Sequence, residues 1–292
     1  MPSRALMFIN ANSRSGRQDL AAVRGVLSAA GMVVTVRDCP NAEYLSAEIT
    51  ARAPGHDLVI IGGGDGTLNA ALEGLVACGL PLGLLPLGTA NDLARTLGIP
   101  TDLTAAAQAI AGGRVARIDL GWVNGKHFVN VASLGLSVQI THALTGGLKR
   151  RWGRLGYGWA AITGWRRTQP FPVRIRCDGK QASLWALQVA VGNGRHFGGG
   201  MVVAENASID DAQLDVFALE PVGLWTYLAL LPRLRKGRHG ALDHVRTWRG
   251  SEILIQTVPP LPINTDGEIT AMTPARFRVR PKALGVLVPK ES

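Results

Sequence analysis

Between Asp119 and Asp178 the chain has no acidic residue, while Lys126, Lys149, Arg150, Arg151, Arg154, Arg166, Arg167, Arg174 and Arg176 all fall inside that interval. Cysteine is scarce as well. Cys39, Cys78 and Cys177 are widely spaced and form no metal-type pair, which excludes a disulfide framework or a zinc knuckle and fits free thiols in a reducing compartment. No run of about twenty apolar residues occurs, so no spanning helix is expected. The opening MPSRALMFIN reads as a strand and lacks a cationic stretch followed by a cleavable apolar core; export is not expected, and the cytoplasm is. The histidines show no metal-ligand spacing, and no Gly-x-Ser-x-Gly elbow for acyl transfer occurs. There is no internal repeat and no low-complexity tract.

What is present is positive charge. With 31 Lys plus Arg against 21 Asp plus Glu the chain carries a formal charge of +10, which calls for a polyanionic neighbour, either nucleic acid or an anionic membrane. Trp152, Tyr157, Trp159 and Trp165 are interleaved with the cations of the acid-free interval. Rings and cations together suit a lipid headgroup layer. We therefore expect peripheral contact with an anionic membrane surface through Gly146 to Thr168, and no nucleic acid. Leu224 to Leu231, followed by a basic tail to His239, repeats this chemistry on a smaller scale and reads equally as a plain surface helix.

The segment Asp57 to Asn69, DLVIIGGGDGTLN, organises the rest. Leu58 to Ile61 make a short apolar run of the kind buried on both faces of a parallel sheet. Gly62, Gly63 and Gly64 then remove three side chains, so the backbone can approach a ligand or take angles denied to other residues. Leu68, Ala71, Leu72, Leu75 and Val76 follow at helical spacing. A strand, a glycine loop and a helix start form a place for phosphate. The segment is not a Walker loop, having no Gly-Lys-Ser/Thr, and Asn69 replaces the third glycine of a dinucleotide fingerprint. Asp65 would repel a phosphate unless a cation lay between them. Taken alone, the segment is equally well a tight strand-to-helix turn.

A second loop follows one strand later. Leu82 to Leu87 leads into Gly88-Thr89-Ala90-Asn91-Asp92, so that GGGDGTLN is followed by LPLGTANDLA. This pair resembles the diacylglycerol kinase catalytic-domain superfamily, and specifically its bacterial YegS-type lipid kinases. NAD kinases and sphingosine or ceramide kinases share the first loop, so that loop by itself implies only the wider superfamily. The resemblance implies an N-terminal three-layer αβα Rossmann-like nucleotide-binding domain, residues 1–120. It also implies a C-terminal antiparallel β-sandwich domain, residues 121–292, whose last dozen or so residues return to the first. It implies ATP and Mg²⁺ as cofactors. Family contacts to ATP carry over to Asn10, Arg14 and Gly16 in the turn after the first strand. Others carry over to Thr35 near the end of the second, to Gly63, Gly64, Asp65, Gly66, Thr67, Leu68 and Asn69, and to Thr89. Ala11 stands where the family has proline. For Asn91 and Asp92, capping the following helix is as good a reading as ligand contact.

From Arg117 onward short alternating segments separated by Asn124-Gly125 and Asp178-Gly179 turns indicate antiparallel strands. Two acidic turns there matter. Ser208 to Val216 resembles the family's metal turn, which implies a Mg²⁺ held by the Asp211 carboxylate and the carbonyls of Ser208 and Gln213. Ala212 occupies the usual glycine position and would be strained if the turn needs positive φ. A plain acidic turn before a strand is the alternative. Asp266-Gly267-Glu268 resembles the family's catalytic turn, which makes Asp266 the proton acceptor from a lipid hydroxyl and Glu268 its support. Read by itself it is a type I′ hairpin. The expected activity is transfer of the γ-phosphoryl group of ATP to a lipid hydroxyl, of diacylglycerol, phosphatidylglycerol or a similar acceptor. Two alternatives remain at this stage: a kinase of a soluble acceptor, and a non-catalytic binder of anionic lipid or nucleic acid. A homodimer is left open.

Overall fold

In a computed structural model the chain is described over residues 3–10, 20–38, 42–139, 164–166, 168–194, 196–197, 201–202, 207–235 and 243–290. It divides into two compact units, Met1–Leu120 with Ile209–Asp211 and Arg280–Ser292, and Gly121–Ser208 with Ala212–Val279.

In the first unit β1 (Arg4–Ile9), α1 (Leu20–Ala29), β2 (Val33–Asp38), α2 (Leu45–Arg52), β3 (Leu58–Gly63), α3 (Asp65–Cys78) and β4 (Leu82–Pro86) alternate. The strands pair in parallel in the order β2-β1-β3-β4. All residues of β3 and β4 are buried, as two-sided cover by helices requires. Right-handed crossovers account for the helix positions. The chain steps one way from β1 to β2 and the other way from β2 to β3 to β4, so α1 lies on one face and α2 with α3 on the other. α4 (Asp92–Thr96) and α5 (Leu103–Gly112) follow, with α5 capped by the Asp102 carboxylate, which accepts from Ala105 N at 2.8 Å. β5 (Arg114–Val123) then leaves the unit. The chain's last strand comes back beside β4, in parallel, pairing Val286 with Leu82. The α/β expectation holds.

The second unit is a sandwich. β6 (Lys126–Phe128), β7 (Val131–Gly135), β8 (Phe171–Cys177), β9 (Lys180–Ala186), β10 (Gln188–Gly192) and β13 (Leu214–Leu219) belong to it. So do β14 (Val245–Gly250), β15 (Glu252–Thr257), β16 (Pro262–Thr265), β17 (Glu268–Met272) and the first half of β18 (Ala275–Val288). β11 (His196–Phe197) and β12 (Met201–Val202) form a small separate ladder. One sheet runs β14-β13-β10-β7-β16-β17; the other is the antiparallel set β18-β15-β8-β9. Between them pack Ala132, Leu134, Val189, Val216, Ile253 and Phe277, with the Phe128 and Phe277 rings edge to face at 6.4 Å. On its other face the six-stranded sheet meets α6 (Leu224–Arg235) through Val131, Ala190, Phe217, Tyr227 and Leu230.

Two strand-like runs of the sequence are interrupted. Leu184 to Val191 breaks at Leu187, sending β9 and β10 to different sheets. His127 to Val131 breaks at Val129 and Asn130, whose amides serve another purpose described below. Among the described residues no helix is long and apolar enough to cross a membrane.

Candidate functional site

The first unit gathers its glycines at the carboxyl edge of the sheet, where open α/β folds bind ligands. Gly62, Gly63 and Gly64 are not among the positive-φ residues, so backbone angle does not explain them. Space does. A Cβ on Gly63 would lie 2.5 Å from the Thr67 Cβ, and one on Gly88 would lie 2.5 Å from the Gly64 Cα. The two loops therefore touch backbone to backbone, and Leu87 N donates to Gly63 O at 3.0 Å. Gly66 differs: a Cβ there would meet nothing within 4 Å. Packing does not call for glycine at that exposed position in the first turn of α3.

The first intrahelical bond of α3 is Leu68 N to Gly64 O, 3.1 Å, so the amides of Asp65, Gly66 and Thr67 have no partner inside the helix. Asn10 N donates to Gly62 O, and Asn10 Nδ2 to Thr67 Oγ1 at 3.2 Å, tying the end of β1 to the same corner. Thr89 is exposed on the second loop. Asn91, at φ 49°, braces that loop by accepting from Gly88 N at 3.0 Å and donating to Gly88 O at 2.9 Å. An open depression of about 290 Å³ lies beside it, lined by Pro86, Gly88, Asn91, Thr101 and Asp102 among others.

Asp65 is half-buried, and its carboxylate accepts from Asp92 N at 2.8 Å. Burial, and next the negative charge of Asp92, push its carboxyl above the usual range despite that bond. Asp92 itself is almost wholly buried. Two carboxylates are thus crowded beside a helix start that favours an anion.

Not every expected contact joins this corner. Thr35 sits in the middle of β2 opposite Leu6, while the strand ends at Asp38, opposite Ile9; it lies three residues, about 10 Å, back from the loop edge. Leu68 is buried in the core side of α3, and Asn69 is half-buried on the same helix. Arg14 and Gly16 lie outside the described residues, as does most of Gly146 to Thr168. From that stretch Trp165 packs against the cluster under α6.

In the second unit Asp266 and Gly267, at φ 48° and 102°, form the type I′ turn between β16 and β17. The Asp266 carboxylate accepts from Val129 N at 2.6 Å and from Asn130 N and Val131 N at 3.0 Å each. That is why the chain bends at 129–130. Asn264 Oδ1 accepts from Gly267 N at 2.9 Å, and Asn193 Nδ2 donates to Val129 O at 2.8 Å. Asn130 and Asn264 are only 4% and 5% exposed, yet among the described residues Asn130 Oδ1 and Asn264 Nδ2 find no hydrogen-bond partner. Such groups cost about 1–3 kcal/mol each and call for an explanation. Sequence reading missed these asparagines, because Asn at a strand end looks like ordinary turn chemistry. Glu268 is exposed at the start of β17. In the Ser208 to Gln213 turn Ala212 adopts φ 56°, the positive angle that makes alanine strained, and Asp211 is half-buried.

Comparison with known proteins decides the family. Residues 4–123 match the diacylglycerol kinase catalytic domain, and residues 130–288 match the YegS C-terminal NAD kinase beta sandwich-like domain. The chain belongs to the diacylglycerol kinase family. A diacylglycerol kinase of Mycobacterium tuberculosis is 34% identical over 262 residues, 87% of this chain and 83% of that protein. A YegS-like lipid kinase of Pseudomonas putida is 34% identical over 298 residues, 100% of this chain and 98% of that one. A crystal structure described as a diacylglycerol kinase from Bacillus anthracis superposes with a TM-score of 0.86 at 26% identity, covering 98% of this chain and 97% of that one. As a member of the diacylglycerol kinase family the protein is a kinase, as its paired loops led us to expect.

Proposed function

We propose that this kinase transfers the γ-phosphoryl group of ATP to a hydroxyl of a membrane lipid such as diacylglycerol or phosphatidylglycerol, with Mg²⁺ required. The observation that carries the reading is the backbone seat of Gly64 on Gly88. It sets the amides at the start of α3 that lack a partner within the helix near the loop that carries the exposed Thr89. Amides at a helix start favour phosphate oxygens. Asn10, Gly63, Gly64, Gly66, Thr67 and Thr89 are the groups disposed to meet them, and Arg14 and Gly16 are assigned with them on the sequence. Thr35 and Leu68, mid-strand and core-facing, are left out of that set.

Asp266 is the proposed proton acceptor and Glu268 its support. Phosphoryl transfer passes through a loose transition state, so the hydroxyl must be positioned more than it must be deprotonated early. Three amide donors fix the direction of the Asp266 carboxylate, which supports that use. Mg²⁺ fits the Asp211 carboxylate with the carbonyls of Ser208 and Gln213, since these are hard oxygen donors and Mg²⁺ keeps several of its waters. Among the described residues no cluster of three or more His, Cys, Asp or Glu exists, so carbonyls and water must complete any such site. Bound there, Mg²⁺ would hold the turn, whereas a cation near Asp65 would offset phosphate charge and relieve the crowding with Asp92. Peripheral membrane contact belongs to the same proposal, because the acceptor resides there.

Incubation with γ-labelled ATP, Mg²⁺ and a total lipid extract tests it. Label should enter a chloroform-soluble product. Label confined to a soluble acceptor such as NAD, or no transfer at all, would contradict the reading.

A further inference from the structure

The outer face of the β18-β15-β8-β9 sheet has no protein layer over it among the described residues of its unit, and its side chains can be read row by row. Arg276 is paired with Leu254, Leu254 with Arg176, and Arg176 with Gln181. One row further, Gln256 is paired with Arg174 and Arg174 with Ser183. Glu252 is paired with Arg278. Along β8 burial alternates strictly, with Val173, Ile175 and Cys177 inward and Arg174 and Arg176 outward. Four arginines therefore stand on one flat face, neighbours along a strand about 7 Å apart and strands about 4.8 Å apart.

Glu252 is the sole acid in these rows, and it is shared by Arg276 at 3.5 Å and Arg278 at 3.4 Å. Among the described residues Arg174 and Arg176 have no carboxylate partner. One end of the face is apolar. Trp185 opposes Pro172 and is 59% exposed, and Val258, directly after β15, is 77% exposed.

We propose that this face is a docking surface for an anionic phospholipid leaflet. The inference rests on the lipid-kinase reading for its choice of partner and on the sheet register for its location. Arginines on a plane meet phosphodiester headgroups, and an indole at the rim sits at the headgroup level. Nucleic acid is a poorer match. A four-stranded sheet spans roughly 15 Å and is too wide for a groove that admits a helix or a two-stranded ribbon. Single strands need several stacking rings, whereas this face has one, at its edge.

Co-sedimentation with vesicles tests it, using equal parts phosphatidylcholine and phosphatidylglycerol against phosphatidylcholine alone. Wild type should bind the mixed vesicles, more weakly as salt rises. Arg174→Gln with Arg176→Gln should weaken binding about twenty-five-fold, roughly fivefold per cation, with an unchanged melting temperature because both side chains are exposed and have no carboxylate partner among the described residues. Glu252→Gln should tighten it, and Trp185→Ser should weaken binding even at high salt. Phosphorylation of a detergent-dispersed short-chain diacylglycerol should be unaffected by the double substitution. If no kinase activity is found but the vesicle results hold, the functional reading fails and this one stands. Equal binding by wild type and the double variant would overturn it. So would equal binding to both vesicle types, or displacement from vesicles by duplex DNA that the double variant no longer binds.

Discussion

Asp65 and Asp266 each close a glycine-bearing turn at the end of a strand, and their carboxylates meet opposite treatment. Asp65 is crowded by burial and by Asp92, so its charged form is disfavoured in the folded protein. Asp266 is held by three backbone amides. The first invites a cation; the second is already engaged as a clamp between a hairpin and the 129–131 bend. Asp178 supplies a control for the clamp. It also precedes a glycine in a type I′ turn, at φ 43°, and also accepts from main-chain amides, those of Ser251 and Glu252. Local turn chemistry therefore does not set Asp266 apart. Its neighbours do, since Asn130 and Asn264 flank it with buried polar atoms that have no partner among the described residues.

The sharpest way to break this comparison is Asp266→Asn. We expect kcat to fall on the order of a thousandfold, and chemical denaturation to show a loss of about 2 kcal/mol as amides lose a charged acceptor. Asp65→Asn should lower kcat on the order of a hundredfold and yet raise the melting temperature. Its sign in pH is fixed. The folded carboxyl titrates above its ordinary 3.8, so Asp65 costs nothing below that value and destabilises as pH rises through the raised one. The thermal advantage of Asn should therefore vanish in acid and be complete at neutral pH, as melts across that range will check.

Asp178→Asn should leave kcat unchanged and lower the melting temperature modestly. The amides of Ser251 and Glu252 hold the Asp178 carboxyl below 3.8, so its contribution is present above 3.8 and fades only as pH falls through the lowered value. If kcat fell as far as in Asp266→Asn, the distinction between the two turns would be lost. The smallest effect is expected from Ala212→Gly, which relieves positive-φ strain and should raise stability by under about 1 kcal/mol in a urea melt.

The sequence made the first unit readable, since an apolar run ending in glycine and followed by helical spacing admits few folds. The reason for the glycines was not readable: the contact of Gly64 with Gly88 joins the loops that follow two paired strands, β3 and β4, and only the folded sheet reveals it. The strain at Ala212 was legible because alanine stood where a turn wanted glycine. Asp266 was legible as a turn, but its amide partners at 129–131 are over 130 residues away. Arg174 and Arg176 of β8 were legible as cations of the acid-free interval, but not that Arg276 and Arg278 of β18 share their face, because which strands neighbour one another is a property of topology.

The most direct test of the central claim is a calorimetric titration of Asp266→Asn with ATP and Mg²⁺, run beside a turnover assay with lipid acceptor. The account predicts nucleotide affinity like that of wild type, because the phosphate corner is built by β1, β3, α3 and the loop after β4, together with turnover reduced to near background. Unchanged turnover, or loss of nucleotide binding along with it, would contradict the division of labour between the two carboxylates.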